Sequence, residues 1–179
     1  MSVLCFVDTE TTGLDPRIHQ PWEVCTWLED EAEPKTLALP HTLEHADPQA
    51  LDLSGWWERR GIAREMADRG SFVNRLRGVT LVGSNPAFDA AMLTRYCGIP
   101  VWHHRMIDVA QAAMWVFDWN RPRGLAAVAV AVRERGFDIP KPDHTAEGDV
   151  RTTRAVYDAL RALRGEWPPL SPIAQGGAA

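Results

Sequence analysis

The sequence predicts an α/β fold built on a mixed β-sheet. Short apolar runs of strand length fill the first 40 residues, and segments with apolar residues at helical spacing dominate after residue 86. Strands that come first and helices that interleave later are typical of a sheet covered by helices. Of the 179 residues, 45% are hydrophobic and 24% are charged, as in folded globular proteins. We expect one domain over residues 1–165 and a disordered, Pro- and Gly-rich tail over residues 166–179.

The predicted strands are short and apolar. Residues 3–7 are apolar on both faces, as in a central strand, so Asp8 should stand at the end of that strand. Residues 22–28 and 35–39 flank an acidic turn, which predicts a hairpin and, with the first strand, a three-stranded antiparallel start. A further strand is predicted at residues 79–82.

Helices are predicted where apolar residues recur every three or four positions. Pro86 suits the first residue of a helix because its missing N–H needs no partner there, and Gly136 should stop the helix that precedes it. Residues 40–57 are expected to form a loop with one helical turn after Asp47. The predicted helices cover residues 58–77, 86–96, 107–117, 125–132 and 145–164.

Composition argues against several classes of protein. No run approaches the about 18 consecutive apolar residues of a membrane span, and the charge of Asp8 comes too early for a signal peptide. We therefore expect a cytoplasmic protein that does not associate with membranes. Cys5, Cys25 and Cys97 are widely spaced among apolar residues, which indicates buried thiols rather than disulfides or zinc ligands. Frequent Arg and Ala with few Lys favour a high-GC bacterial or phage source.

The net charge of −5 argues against a broadly basic surface for nucleic acid. The arginines nevertheless cluster in the sequence. They stand at positions 59, 60 and 64, at 75 and 77, and at 121 and 123. These clusters could form local basic patches beside an acidic site, or they could be ordinary solvated helix faces.

Asp8 and Glu10 are the first residues that indicate chemistry. Alternate residues of an extended strand share a face, so both carboxylates can reach one point above the sheet. Two such close carboxylates repel each other unless a cation neutralises them, and Mg²⁺ and Mn²⁺ prefer oxygen ligands. An Asp-x-Glu pair alone is usually a surface feature, but this pair follows an apolar strand, where α/β sheets place their sites.

Two further clusters contain acids. Asp89 closes segment 85–89 just after an apolar strand, where the positive end of a helix dipole would also favour a carboxylate. His144 and Asp149 stand together at the start of the last predicted helix. Taken singly, His144 would more often be a surface histidine than a catalyst.

The three clusters, taken in order, resemble the three motifs of the DnaQ-like DEDDh exonuclease family. They are segment 8–14 (DTETTGL), segment 85–89 (NPAFD) and His144-x4-Asp149. The resemblance spans residue 3 to about residue 160, and its third motif selects the histidine branch of the family. It implies a ribonuclease-H-like fold, with a five-stranded mixed sheet flanked by helices.

The resemblance also implies roles for individual residues. Two Mg²⁺ or Mn²⁺ ions are implied, with His144 as the general base. The implied metal ligands are Asp8, Glu10, Asp89 and Asp149. Thr11 is implied to contact the 3′ end of the substrate through its backbone, and Leu14 to act as an apolar wedge beside the last base. Phe88 could pack beneath the substrate or in the core.

The implied activity is removal of nucleoside 5′-monophosphates from nucleic-acid 3′ ends. DNA, most simply single-stranded, is favoured over RNA because segment 8–14 looks closest to proofreading members of the family. RNA trimming is the nearest alternative. A binding or assembly module that partners a DNA polymerase, or another replication or repair protein, is a different class. The intact set of four acids and one histidine argues against it, since a scaffold has no chemical need of that set.

Other features keep two interpretations each. Trp56-Trp57 beside Arg59-Arg60 could clamp single-stranded nucleic acid or pack in the core. Trp102 and Trp115 are expected in the core or at a partner interface.

Asp108 is expected either to have a structural role or to contact a metal ligand without binding the metal itself. The remaining histidines are expected to be solvated or packed, because they lack the Cys/His spacing of a zinc site. They include His41, His45, His103 and His104.

Overall fold

A five-stranded mixed sheet forms the centre of the fold, as predicted. The computed structural model describes residues 2–60 and 65–165. The strands are β1 (Leu4–Thr11), β2 (Pro21–Leu28), β3 (Lys35–Ala38), β4 (Thr80–Gly83) and β5 (Ile107–Asp108). They lie in the order β3-β2-β1-β4-β5; β2 is antiparallel to both β1 and β3, whereas β1, β4 and β5 run parallel to one another. The hairpin and the antiparallel start are confirmed.

Helices cover both faces of this sheet. They are α1 (Pro48–Leu53), α2 (Trp56–Arg59), α3 (Arg69–Arg75), α4 (Pro86–Cys97), α5 (Val109–Val116), α6 (Leu125–Arg133) and α7 (Ala146–Gly165). Pro86 begins α4 as predicted, and Asp47 caps α1 by accepting the N–H of Gln49. The structure therefore contains the predicted α/β fold, a five-stranded mixed sheet flanked by helices.

The two faces of β1 enter two different cores. Phe6 packs with residues of α5, α6 and α7, whereas its neighbours Cys5 and Val7 pack with residues of α3 and α4. This alternation is the two-residue period of a strand buried on both faces. It fixes which side chains of β1 point toward α7 and which toward α4.

Strand β1 continues past the position at which we predicted its end. Asp8 lies inside the strand, because β2 continues to pair with β1 from Asp8↔Cys25 to Thr11↔Pro21. The backbone partner, rather than the polarity of the side chains, sets the length of the strand. Asp8 and Glu10 are consequently held by sheet hydrogen bonds on a rigid element.

The helix predicted over residues 58–77 is wrong in its described part. Residues 58 and 59 end the short helix α2, Arg69–Arg75 forms the separate helix α3 with Asp68 as its cap, and residues 61–64 lie outside the described residues. Met66 instead forms a parallel bridge with Ala38, through hydrogen bonds from Ala38 N to Glu65 O and from Ala67 N to Ala38 O. This pairing with the edge strand competes with helix formation.

Smaller corrections concern helix ends. Ile107–Asp108 is an edge strand rather than the first turn of a helix, and the Asp108 carboxylate caps α5 by accepting the N–H groups of Ala110 and Gln111. The structural interpretation of Asp108 is thus confirmed. Helix α6 ends at Arg133, before Gly136, whose φ of 88° supports the turn that follows. The predicted tail over residues 166–179 lies outside the described residues.

The three cysteines are buried free thiols, as predicted. Burial raises the pKa of Cys5 and of Cys25 to about 12, so both thiols stay neutral at physiological pH. Among the described residues, no helix is long and apolar enough to cross a membrane.

Arg75 joins the end of α3 to the β2–β3 hairpin. Its guanidinium donates to Glu31 Oε1 at 2.6 Å and to Thr26 Oγ1 at 2.8 Å, and its side chain is only 12% exposed. Removal of the cation takes away the Arg75 donors of the Glu31 carboxylate and the Thr26 hydroxyl and leaves Glu31, among the described residues, only the backbone N–H of Leu28.

We expect Arg75→Ala to lower the free energy of unfolding by about 2–3 kcal/mol, since breaking a largely buried ion pair strands its partner. Urea unfolding measures this change. The matched control is Arg77→Ala, because Arg77 is exposed and should cost less than about 0.5 kcal/mol. Equal losses in both variants would contradict the assigned role of Arg75.

Candidate active site

Asp8 and Glu10 point to the same face of the sheet, toward α7. Both are partly buried and both line one cleft, as the strand alternation predicts. Thr9, between them, points toward α4. The antiparallel partner β2 pairs with this part of β1, whereas the parallel partner β4 pairs with the preceding residues Leu4–Phe6.

Asp89 approaches the same region from the first turn of α4. Its side chain is only 3% exposed, and Thr9 Oγ1 donates a hydrogen bond to its Oδ1 at 2.7 Å. The chain enters α4 through Asn85, which has a left-handed φ of 66°, and then Pro86. A Cβ at Gly83 would lie 3.1 Å from Pro86 Cβ and 3.2 Å from Val7 O, so this entry fits closely against β1.

The third contribution comes from the start of α7. Asp143 N donates to Asp149 Oδ1 at 3.1 Å, while the Asp143 carboxylate accepts the N–H and hydroxyl of Thr145. A Cβ at Gly148 would lie 2.0 Å from Asp143 Oδ1, so only glycine leaves room for this carboxylate. His144 sits between these groups with a left-handed φ of 58°. The constrained turn aims His144 and Asp149 toward β1.

These elements enclose a cleft of about 180 Å³. Among the predicted site residues, its lining includes Asp8, Glu10, Thr11, Leu14, Phe88, His144 and Asp149. Asp89 is not part of the lining and lies behind it, against Thr9. The structure thus brings seven of the eight predicted site residues to one cleft and places the eighth, Asp89, against Thr9, close enough for its charge to act on Asp8.

The carboxylates of this cluster interact strongly. Burial raises the pKa of Asp8 well above its ordinary value, and the charges of Asp89 and Glu10 raise it further. Burial raises the pKa of Glu10 to about 8, although the Arg59 charge opposes this effect. Burial also raises the pKa of Asp89 to about 7, against the hydrogen bond from Thr9, and raises the pKa of Asp149. The folded protein therefore holds several acids whose negative charges are poorly compensated.

The donor set fits a hard divalent cation by its chemistry. It consists of carboxylate oxygens, which Mg²⁺ and Mn²⁺ prefer. Within residues 2–60 and 65–165, no hydrogen-bond donor reaches the side chain of Asp8 or Glu10. In those same ranges, no group of three or more His, Cys, Asp or Glu side chains is arranged so that it could hold a metal ion. The carboxylates would have to turn toward a shared ion to bind it.

Sequence patterns missed part of the cleft wall. Ala50, Leu53 and Ser54 line it from α1 and the turn after α1. Residues 40–57 have no sustained periodicity, and only the Asp47 cap indicated a helical turn there. The closeness of this segment to β1 depends on the hydrogen bond from Asp47 N to Thr12 O, at 2.7 Å, which no local pattern encodes.

Arg59 and Arg75 are not free members of basic patches. Arg59 pairs with the fully buried carboxylate of Glu23, and Arg75 pairs with Glu31. Two of the clustered arginines therefore have structural partners.

The tryptophans divide between core and surface. Trp102 packs against the core, as expected, whereas Trp115 is 74% exposed and is not a core residue. Trp56 is buried and Trp57 is exposed, so the pair combines both interpretations. His41 is packed: its Nε2 accepts the indole N–H of Trp56 at 3.0 Å.

The fold and cleft together define a ribonuclease-H-like α/β domain with an acidic cleft at its central strand. Solved structures of Escherichia coli exonuclease I share this fold. One, a zinc-bound complex with single-stranded DNA, has 18% identity, a TM-score of 0.64, and covers 93% of this chain and 41% of its own. Another, a complex with a dA16 oligonucleotide, has 16% identity and a TM-score of 0.67, over 93% of this chain and 42% of its own.

The present chain spans about two fifths of the length of these exonuclease structures. At this level of identity, the likeness establishes the fold alone. No protein-family model matches the sequence, and no curated protein matches it.

We expect Asp8→Asn to stabilise the metal-free protein. The amide removes a buried charge that faces Asp89 and Glu10, so the Tm should rise by about 2 °C or more, which corresponds to roughly 1 kcal/mol for a protein of this size. Mg²⁺ should raise the Tm of the wild type and have little effect on the variant.

Scanning calorimetry with EDTA and with Mg²⁺ measures both effects. Asp158→Asn is the matched control, because Asp158 is exposed on the same α7 that carries Asp149, and its Mg²⁺ response should equal that of the wild type. A lower Tm for metal-free Asp8→Asn would contradict the electrostatic account.

Proposed function

We propose that this chain is a divalent-metal-dependent 3′–5′ exonuclease that acts on single-stranded DNA and releases nucleoside 5′-monophosphates. The observation that carries the proposal is one cleft that combines Asp8, Glu10, His144 and Asp149 above the buried Asp89. The fold supports it as well, since exonuclease I, which has this fold, was crystallised with single-stranded oligonucleotides.

In this proposal, the four carboxylates hold two Mg²⁺ or Mn²⁺ ions. Asp8 and Glu10 offer oxygens from β1, Asp149 offers one from α7, and Asp89 offers the Oδ atom that Thr9 does not engage. A pair of bound ions lowers the pKa of the attacking water and stabilises the leaving 3′ oxygen. The repulsion among the carboxylates makes cation binding favourable, because it removes a cost that the folded protein carries without metal.

His144 is proposed as the general base. It is exposed at the mouth of the cleft, so it can exchange a proton with solvent, and the negative charge of Asp149 is close enough to interact with it. A neutral imidazole nitrogen accepts a proton near pH 7. The left-handed backbone of His144 and the hydrogen bonds from Thr145 to the Asp143 carboxylate constrain the turn that carries His144.

Three further residues are proposed to contact the substrate. The Thr11 hydroxyl donates its hydrogen to Gly13 O at 2.8 Å. Thr11 can therefore contact the 3′ end through its backbone, as proposed. Leu14 is 75% exposed at the cleft and can pack beside the terminal base. Phe88 is half-buried in the cleft wall, which suits packing both beneath the substrate and against the protein.

We expect His144→Ala to lower kcat by about 10²–10⁴-fold, the usual contribution of a positioned general base, while the fold is retained. Asp8→Ala and EDTA should each abolish cleavage. The assay uses 5′-labelled single-stranded DNA with Mg²⁺ or Mn²⁺, and mass spectrometry should identify nucleoside 5′-monophosphates as products. His104→Ala is the control, because His104 is exposed and does not line the cleft.

Parallel assays with RNA and duplex DNA test the substrate class. A faster reaction on RNA than on single-stranded DNA would favour the alternative function, RNA trimming. Retention of oligonucleotide without any cleavage would favour the binding module over the enzyme. Full activity with EDTA, or in Asp8→Ala, would overturn the metal mechanism.

A further inference from the structure

Exposed apolar side chains lie at and near the rim of the cleft. Leu53 of α1 lines the cleft and is 65% exposed, and Leu14 on the opposite loop is 75% exposed. Trp57 of α2, four residues beyond Leu53, is 45% exposed. Leu14 and Leu53 adjoin the cleft, and Trp57 lies on α2, which contacts α1, so these exposed apolar groups favour a binding surface over isolated surface residues.

Trp57 is held in place by a buried neighbour. The ring of Trp56 meets it edge to face at 4.9 Å, and Trp56 itself is only 7% exposed. The indole N–H of Trp56 donates to His41 Nε2, so the remaining ring nitrogen of His41, Nδ1, carries a proton and donates to Leu39 O at 3.0 Å. This chain of contacts ties α2 to the end of β3. An aromatic ring fixed in this way loses little conformational entropy when a ligand stacks on it.

Arg60 extends the same surface. Its guanidinium lies 5.2 Å from the ring centre of Trp56 and 5.4 Å from that of Trp57. Among residues 2–60 and 65–165, no carboxylate pairs with Arg60. An exposed, unpaired guanidinium beside an exposed indole can meet both a base face and a backbone phosphate.

The charge of the protein favours stacking over phosphate contacts as the source of affinity. The net charge is −5, and the cleft concentrates carboxylates. A nucleic acid that approaches this surface gains little from counterion release, which needs many basic residues. Base stacking on aromatic side chains contributes about 1–3 kcal/mol for each base and requires no net positive charge.

We propose that Leu53, Trp57 and Arg60 form a stacking subsite for an unpaired base that lies one or two nucleotides before the 3′-terminal nucleotide. This inference rests on the proposed function, because it takes the 3′ end to lie in the cleft. A base within a duplex has both faces covered by its neighbours, so the subsite accepts single strands and rejects paired ends. In this arrangement the cleft binds the reacting phosphate, and α2 binds the strand one or two nucleotides before the 3′-terminal nucleotide.

The test measures binding with abasic oligonucleotides. In an Asp8→Asn background, which prevents cleavage, fluorescence anisotropy gives the Kd of a short labelled oligodeoxythymidylate. Trp57→Ala should weaken binding about tenfold, within the range of one lost stacking contact, and Trp57→Phe should restore most of the affinity. The loss should be equal at low and high salt, because stacking releases no counterions.

A single abasic nucleotide, moved along the oligonucleotide from the 3′ end, locates the contact. An abasic nucleotide at the second or third position should raise the Kd of the protein that retains Trp57. It should leave the Kd of the Trp57→Ala variant unchanged. Trp115→Ala is the matched control, because Trp115 is an exposed tryptophan of α5 outside the cleft, and its Kd should equal that of Asp8→Asn alone. Unchanged binding by Trp57→Ala, or an abasic effect that persists in full in that variant, would overturn the subsite.

Failure of the proposed function gives a different result. Wild-type protein is assayed with thymidine 5′-(4-nitrophenyl phosphate), a single-nucleotide substrate that cannot reach α2. Hydrolysis of this ester together with unchanged oligonucleotide binding by Trp57→Ala refutes the subsite alone. Absence of hydrolysis together with the expected abasic pattern refutes the exonuclease and retains the stacking surface.

Discussion

Repulsion among buried carboxylates is the constraint on which the rest of this structure depends. Asp8 lies where burial and the charges of Asp89 and Glu10 all oppose its ionisation. A chain keeps such a cluster only if the surrounding packing holds each acid in place. The sheet ladder does this for Asp8, the Thr9 hydroxyl does it for Asp89, and the backbone N–H of Asp143 does it for Asp149.

The fold brings these acids together with ordinary structural devices. The two-residue period of β1 sends Asp8 and Glu10 toward α7 and Thr9 toward α4. The starts of α4 and α7 then face the same strand from opposite sides of the sheet. Tight backbone turns at Asn85 and His144 set both helix starts, so small changes there would move the acids apart. In the proposed function, a pair of bound cations offsets the repulsion that this arrangement creates.

Sequence patterns predicted what depends on local chemistry. The apolar run of residues 3–7 predicted β1, the alternation of side chains along an extended strand predicted the shared face of Asp8 and Glu10, and Pro86 predicted the start of α4. What they missed depends on contacts between distant segments. The bridge from Met66 to Ala38 prevents a continuous helix, and the hydrogen bond from Asp47 N to Thr12 O brings α1 to the cleft.

The central claim is that this carboxylate cluster is a metal site. Crystals soaked in Mn²⁺ test it most directly, through anomalous difference maps recorded at the manganese edge. The account predicts two peaks about 3.5–4 Å apart in the cleft, within bonding distance of Asp8, and none there in crystals of Asp8→Asn. A cleft without anomalous density, with Mn²⁺ bound only at surface acids, would contradict it.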